Sequence, residues 1–332
     1  MSELRQDRTT GRWVIIAPQR GHRPQSRDDG TPYAPPLRFD PDCPFCPGHE
    51  AKLPAILAET PGMEPPGWRV RVVPNKFPAL QQHPPAPADS AHMVRPGYGF
   101  HEVIIESPRH DADLVSMSAE QRLAAVTAYR DRSRALMEQP GVETAVVFRN
   151  HGRRAGASLA HPHGQIIALG EVPPLLAAMS AWSRNYLGEH GRCPTCEELE
   201  IECRNGTRIV DQNDGFVGLV PFAAEHPFEI WIVPRHHSAS FTALDTGGLA
   251  AFGELLARSL RLLNGALHEP SFKFVVDSAP KRDADSPHFH WRLRLVPEVA
   301  AWGGFELGTA LAINPASPEE DAAALRAALL DP

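Results

Sequence analysis

The chain spells one pattern twice. Cys43-Pro44-Phe45-Cys46, Ser107-Pro108-Arg109-His110 and His161-Pro162-His163 in the first half return as Cys193-Pro194-Thr195-Cys196, Val233-Pro234-Arg235-His236 and His288-Phe289-His290 in the second. His110 and His161 are 51 positions apart, and His236 and His288 are 52 apart. Recurrence of order, local sequence and spacing predicts two homologous modules. A Cys-x-x-Cys pair lets two thiolates reach one tetrahedral ion at zinc–sulfur distances of about 2.3 Å. The histidines in step with each pair complete two predicted Cys2His2 zinc sets, Cys43/Cys46/His110/His161 and Cys193/Cys196/His236/His288. A disulfide is the rival for each pair. The chain has only 5 Cys, no N-terminal apolar signal stretch and histidines matched to both pairs, which favours metal and a reducing cytoplasm. Cys203 has no counterpart in the first module and is expected to be a small buried apolar side chain.

Chemistry concentrates between Asn150 and Gln165, where two histidines and an amide stand at alternate positions beside a glycine-bearing polar approach. If the segment is extended, His161, His163 and Gln165 project to one side, and Ile166-Ile167-Ala168-Leu169 continues the strand. With His161 fixed on the metal, His163 is held as a neutral imidazole nucleophile, its ordinary pKa being about 6.5. Zinc then acts as scaffold. Gln165 donates a hydrogen bond to a phosphoryl oxygen but cannot protonate a leaving alcohol or activate water, which favours transfer over hydrolysis. The second module carries Arg292 two places after its His-x-His pair, so only the first is expected to be catalytic. Arg20, His22, Arg23, Arg153 and Arg154 lie in stretches that could reach a pyrophosphate, and Arg23 is placed beside the site because a guanidinium fork suits phosphate oxygens.

With 332 residues, 42% hydrophobic and 22% charged, the chain is long enough for two globular modules. No apolar run reaches membrane-spanning length, and a net charge of −7 argues against a general nucleic-acid binder while allowing a small nucleotide held by local donors. Strands are predicted at 13–16, 69–73, 102–106, 145–149 and 165–169, then at 208–211, 216–220, 229–233, 272–276 and 291–296. Helices are predicted over 119–138, capped by Ser118 and ending before Pro140, over 174–190, over 248–268, and after Ser317-Pro318. The Pro-rich stretches 23–41 and 83–96, from 34 Pro in all, are expected to be surface arms.

Taken together, Gly11-Arg12-Trp13-Val14-Ile15-Ile16-Ala17-Pro18, the first cysteine pair, Val73-Pro74-Asn75-Lys76-Phe77-Pro78-Ala79-Leu80, the Asn150–Gln165 segment, Gly304-Phe305-Glu306-Leu307-Gly308 and Ile313-Asn314-Pro315 resemble the galactose-1-phosphate uridylyltransferase family. This is the transferase branch of the histidine-triad superfamily, close to the ADP-glucose phosphorylases. The resemblance implies an α+β fold of two tandem histidine-triad-like modules related by a pseudo-two-fold, with mostly antiparallel sheets flanked by helices. Residues 1–180 would carry the nucleophile and first zinc site, and residues 181–332 the second zinc site and a sugar-binding segment. It also implies double displacement: His163 takes the uridylyl group of UDP-glucose and releases glucose 1-phosphate, and galactose 1-phosphate then receives the group. By the same resemblance Asn75 and Phe77 contact the nucleotide, Asn150, Gly156, Ser158 and Gln165 the phosphates, and Glu306 and Asn314 the sugar end. The family's use of such arms makes a homodimer an expectation.

Three features pull toward the phosphorylases: the second cysteine pair, the His288 region with Arg292 and Arg294 where some uridylyltransferases carry metal-binding histidines, and the ending from Gly304 to Pro315. Pro162 and Gly164 pull toward the uridylyltransferases. Three functions therefore stand: a hexose-1-phosphate uridylyltransferase, a nucleotide-sugar phosphorylase with inorganic phosphate as acceptor, and a non-catalytic protein that binds zinc and nucleotides.

Overall fold

The computed structural model describes residues 2–22, 37–83 and 94–328. The first half runs β1 (Glu3–Gln6), β2 (Trp13–Ile16), β3 (Ala58–Pro61), β4 (Trp68–Pro74), β5 (Gly99–Ile105), helix α1 (Ala119–Met137), β6 (Thr144–His151) and β7 (His163–Leu169). The second runs α2 (Pro174–His190), α3 (Pro194–Asn205), β8 (Ile209–Gln212), β9 (Phe216–Leu219), β10 (Ile230–Pro234), α4 (Thr246–Leu267), β11 (Phe272–Asp277), β12 (Arg292–Pro297), α5 (Gly304–Thr309), β13 (Ala312–Asn314) and α6 (Pro318–Ala327).

Ten of these strands form one sheet in the order β3-β4-β5-β7-β6-β11-β12-β10-β9-β8, antiparallel throughout. The order reads the same from the centre outward in both directions, with β6 matching β11, β7 matching β12 and β5 matching β10. Phe148 pairs with Val275 where the two copies meet. The α+β architecture of two tandem copies expected from the repeated motifs is the one observed.

Helices α1 and α4, at corresponding places in the two copies, pack on one face of this sheet. Ser118 accepts from the Gln121 amide at 3.2 Å and Asp245 from the Gly248 amide at 2.7 Å, satisfying first-turn donors that a helix cannot pair internally. Between helices and sheet lies the main core, which includes Ile104, Ala125, Val126, Ile166 and Ala168 from the first copy and Leu256, Leu260, Phe274 and Leu293 from the second. Strand alternation then sends His163 and Gln165 to the opposite face, where Trp68, Val73, Val103 and Ile105 form a smaller cluster with Phe45 and Leu53. Gly164 faces α1, and a Cβ there would overlap the Tyr129 hydroxyl. That close approach gives a steric reason for the glycine between His163 and Gln165.

The predicted strands and helices are all present, shifted at their ends by a few residues. Helix α3, begun by Pro194 inside the second cysteine pair, has no counterpart among them, nor do β1, β3 and the β13 strand that pairs parallel to β2. Cys203 lies exposed on α3, so its expected burial is not observed. The expected helix over 318–327 forms, although the Ser317 hydroxyl donates to Glu319 instead of capping the helix backbone. Residues 23–36 and 84–93, which include Arg23 and most of both Pro-rich stretches, lie outside the described residues. Among the described residues no helix is long and apolar enough to cross a membrane.

Substituting Gly164 with Ala should lower unfolding free energy by about 1–3 kcal/mol, the usual cost of overpacking, read from the denaturant midpoint at constant slope. An unmoved midpoint would mean that Tyr129 withdraws freely. A second expectation concerns Glu319, which accepts from Arg5 at 2.8 Å and Arg208 at 2.6 Å. Burial raises its pKa, but these guanidinium bonds outweigh burial and hold the carboxyl at about 2 against an ordinary 4.5. Because the folded value is depressed, the carboxylate's contribution is complete above pH 4.5 and disappears as pH falls toward about 2. The stability difference between the wild type and Glu319→Gln should shrink across that window, and a constant difference would contradict the assignment.

Candidate active site and metal centres

Four ligand atoms converge beside the start of β7. Cys46 Sγ lies 3.5 Å from His110 Nδ1 and 3.7 Å from His161 Nδ1, and Cys43 Sγ lies 3.7 Å from His161 Nδ1. All four residues are buried. An ion bound tetrahedrally at about 2.3 Å to sulfur and 2.0–2.1 Å to nitrogen requires sulfur and nitrogen to sit about 3.5 Å apart, so the donor set and its spacing fit such an ion. Burial pushes the Cys43 thiol up to about 11 and His161 down to about 4, so loading the site releases thiol protons but meets an imidazole already neutral. The outer ring nitrogen of His161 donates to Ser107 O at 2.8 Å, which fixes the tautomer and aims Nδ1 at the thiols.

His161 also orients its neighbour. His163 Nδ1 donates to the His161 carbonyl at 2.8 Å, leaving the lone pair on Nε2. Burial lowers the His163 pKa, and the nearby Arg149 guanidinium acts in the same direction against the backbone bond and Glu106, so the ring is neutral at physiological pH. The segment is tied down by the Glu106 amide, which donates to Pro162 O at 3.0 Å. Glu106 is fully buried and accepts from Arg149 Nε at 3.0 Å and from the Tyr129 hydroxyl, joining β5, β6 and α1 beneath β7.

His163 stands where two cavities meet. One, of about 530 Å³, is lined by Phe45, Asn75, Phe77, Ser158, His163 and Gln165 among others. The other, of about 440 Å³, is lined by Arg149, Asn150, Arg153, Ser158, His161 and His163 among others. A ligand can therefore be held on either side of one imidazole, with the exposed Ser158 on the rim of both. The Phe77 ring is 84% exposed, free to stack on a base. Asn75 is otherwise engaged: its Oδ1 accepts from Phe77 N at 2.9 Å and its Nδ2 donates to Gln165 Oε1 at 3.3 Å. Gly156, with φ +87°, lines the larger cavity at the end of the short turn Arg153–Ala155.

Two expected residues are not brought here. Glu306 caps its own helix by accepting from Gly303 N at 3.0 Å. Asn314 is fully buried in β13, donating to Ala224 O at 3.0 Å and accepting from Ala316 N at 2.9 Å. Neither lines either cavity within this chain, because the small sheet that holds β13 packs on Ala223 in the second half.

The second cluster corrects its predicted membership. Cys193 and Cys196 converge with His237 and His290, whose Nδ1 atoms lie 3.4 and 3.5 Å from Cys196 Sγ, while His236 points into solvent and His288 bonds Ser180 at 3.2 Å. The reason is register. His161 sits two residues before β7, and the residue two before β12 is His290, not His288. Both ligand histidines then donate their outer nitrogens to carbonyls in the same way, His290 to Pro234 O at 3.1 Å. With the copies aligned so, Arg292 takes the place of His163 and Arg294 that of Gln165. Both are tied to Asp277, at 3.3 and 2.7 Å, and no nucleophile remains. His237→Ala should therefore halve the bound metal counted by elemental analysis, whereas His236→Ala and His288→Ala should keep both equivalents. Loss on His236→Ala with retention on His237→Ala would restore the first assignment.

A family model described as galactose-1-phosphate uridyl transferase, N-terminal domain, matches residues 1–173. An ADP-glucose phosphorylase of Arabidopsis thaliana is 35% identical over 332 residues, covering 98% of this chain and 92% of the relative. A galactose-1-phosphate uridylyltransferase of Thermotoga maritima is 29% identical over 339 residues, covering 98% of each. The crystal structure of the Arabidopsis phosphorylase with bound ADP-glucose superposes with a TM-score of 0.84 at 32% identity over 98% of both chains. A uridylyltransferase structure gives 0.76 at 29% identity over 99% of both. The shared motifs, the doubled sheet and the matching lengths together show that this chain belongs to the galactose-1-phosphate uridylyltransferase family.

Proposed function

We propose that the protein transfers a nucleotidyl group from a nucleotide sugar by double displacement through His163. One observation carries this: a buried, neutral imidazole whose Nδ1 is committed to a carbonyl presents Nε2 where two cavities meet. In the first half-reaction Nε2 attacks the α-phosphorus; the N–P bond forms, the bond to the bridging oxygen breaks, and the sugar 1-phosphate departs with that electron pair. In the second, an acceptor phosphate oxygen attacks the same phosphorus and the N–P pair returns to Nε2. The departing phosphate is a stabilised anion that needs little protonation, so the non-titrating amide of Gln165 suits it better than a general acid would. Phe77 stacks the base, and Ser158 and Asn150 hold phosphate oxygens. Zinc at the two Cys2His2 clusters supplies rigidity, fixing His161 and with it the carbonyl that orients His163.

Family membership supports hexose 1-phosphate as acceptor, with UDP-glucose and galactose 1-phosphate as the pair. A second acceptor, inorganic phosphate with ADP-glucose as donor, is favoured by the greater likeness to the Arabidopsis phosphorylase, 35% against 29% identity and a TM-score of 0.84 against 0.76.

Incubation with UDP-glucose or ADP-glucose labelled in the α-phosphate should leave acid-labile label on the wild type and none on His163→Gly. Chase with galactose 1-phosphate or with phosphate then identifies the acceptor by the faster discharge. Absence of retained label from every nucleotide sugar tried would reduce the protein to a nucleotide-binding module.

A further inference from the structure

Gln165 is useful to a phosphoryl group only if its NH2 end, and not its oxygen, faces the nucleotide. The terminal amide torsion is soft and nearly two-fold, and the two ends are similar in size, so packing alone does not choose between them. The choice is made from β5. His101 Nε2 lies 2.8 Å from Gln165 Oε1, while the other ring nitrogen, Nδ1, lies 3.1 Å from the Ala79 amide. A backbone N–H can only donate, so Nδ1 is the acceptor and the neutral ring must carry its proton on Nε2, directed at the Gln165 oxygen. Asn75 Nδ2 lies 3.1 Å from His101 Nε2 and 3.3 Å from the same oxygen; a neutral ring already accepting at Nδ1 carries a proton on Nε2 and cannot accept there, so Asn75 donates to the Gln165 oxygen. With Oε1 committed to two donors, the Gln165 NH2 is left for the cavity that it shares with His163.

We propose that His101 is a positioning residue for nucleotidyl transfer, its Nε2–H holding the Gln165 amide with the donor end toward the substrate phosphate. The assignment rests on the transfer reaction proposed above. His101 reaches Gln165 diagonally across the β5–β7 ladder, since Val103 is the direct partner of Gln165 and His101 stands two residues away on the same face. Half-burial holds the ring's pKa below its ordinary value despite the bond to Gln165, in keeping with a neutral ring. The Ala79 amide belongs to the segment that carries Asn75 and Phe77, so the same imidazole also ties the base-stacking loop to the phosphate clamp.

The test is a double-mutant cycle on the full, metal-loaded chain, read as the single-turnover rate of label transfer from nucleotide sugar to protein. His101→Phe keeps the ring's bulk and removes the donor; it should slow transfer by about 10- to 100-fold, below or near the loss of one oxyanion donor, with the half-saturating nucleotide-sugar concentration changed by less than about twofold. His101→Gln restores a donor at the Nε2 position and should recover most of the rate. In a Gln165→Ala background His101→Phe should cost nothing further, because the residue acts only through that amide. An unchanged rate in His101→Phe, or an equal loss in both backgrounds, would overturn the proposal. Side-chain nitrogen NMR of the wild type decides the tautomer independently of turnover: an Nε2–H ring supports the anchor and an Nδ1–H ring refutes it. Should the wild type capture no label at all, the transfer reaction fails while this spectrum still judges the anchor.

Discussion

A single peptide carbonyl, that of His161, decides which nitrogen of His163 keeps a free lone pair. It accepts from Nδ1 at 2.8 Å and thereby exposes the lone pair on Nε2. The carbonyl keeps its place because the side chain of the same residue is held twice, by the cysteine pair on one ring nitrogen and by Ser107 O on the other. The Cys2His2 cluster thus reaches the His163 ring through the backbone of His161 and one hydrogen bond. In the transfer proposed above, rigid placement of this kind leaves little orientational freedom to lose on the way to the transition state. Beneath the strand, the buried Glu106–Arg149 pair and the Tyr129 hydroxyl close the other side of the sheet.

Duplication leaves the two halves alike in their clusters and different in the residues that follow. Both keep a Cys2His2 cluster, and in both the ligand histidine sits two residues before a central strand. The second half then fills the positions of His163 and Gln165 with Arg292 and Arg294, both paired with Asp277. The halves are joined edge to edge through β6 and β11, so each copy covers an edge that the other would otherwise expose.

Much of the candidate site was legible because its parts lie close in sequence. His161, His163 and Gln165 fall on one strand, where a period of two places them without knowledge of the fold, and the first metal set follows from Cys-x-x-Cys spacing and a matched histidine. The second set failed on a one-residue and a two-residue displacement, His237 for His236 and His290 for His288. Motif spacing carries no information about where a strand begins, and strand register is what selects the ligand. His101 left no motif at all: its role arises from a diagonal contact between two residues 64 positions apart on neighbouring strands.

Sequence alone determined the duplication, the four residues that converge in the first Cys2His2 cluster, and the family, because each is written in residue types at short, repeated intervals. Only the tertiary structure decided which histidines complete the second cluster, that Gly164 makes room for Tyr129, that Glu306 and Asn314 are spent on local bonds within this chain, and that the Gln165 amide is held by His101. Those outcomes depend on strand register and on distances across the sheet, and neither is a property of neighbouring letters.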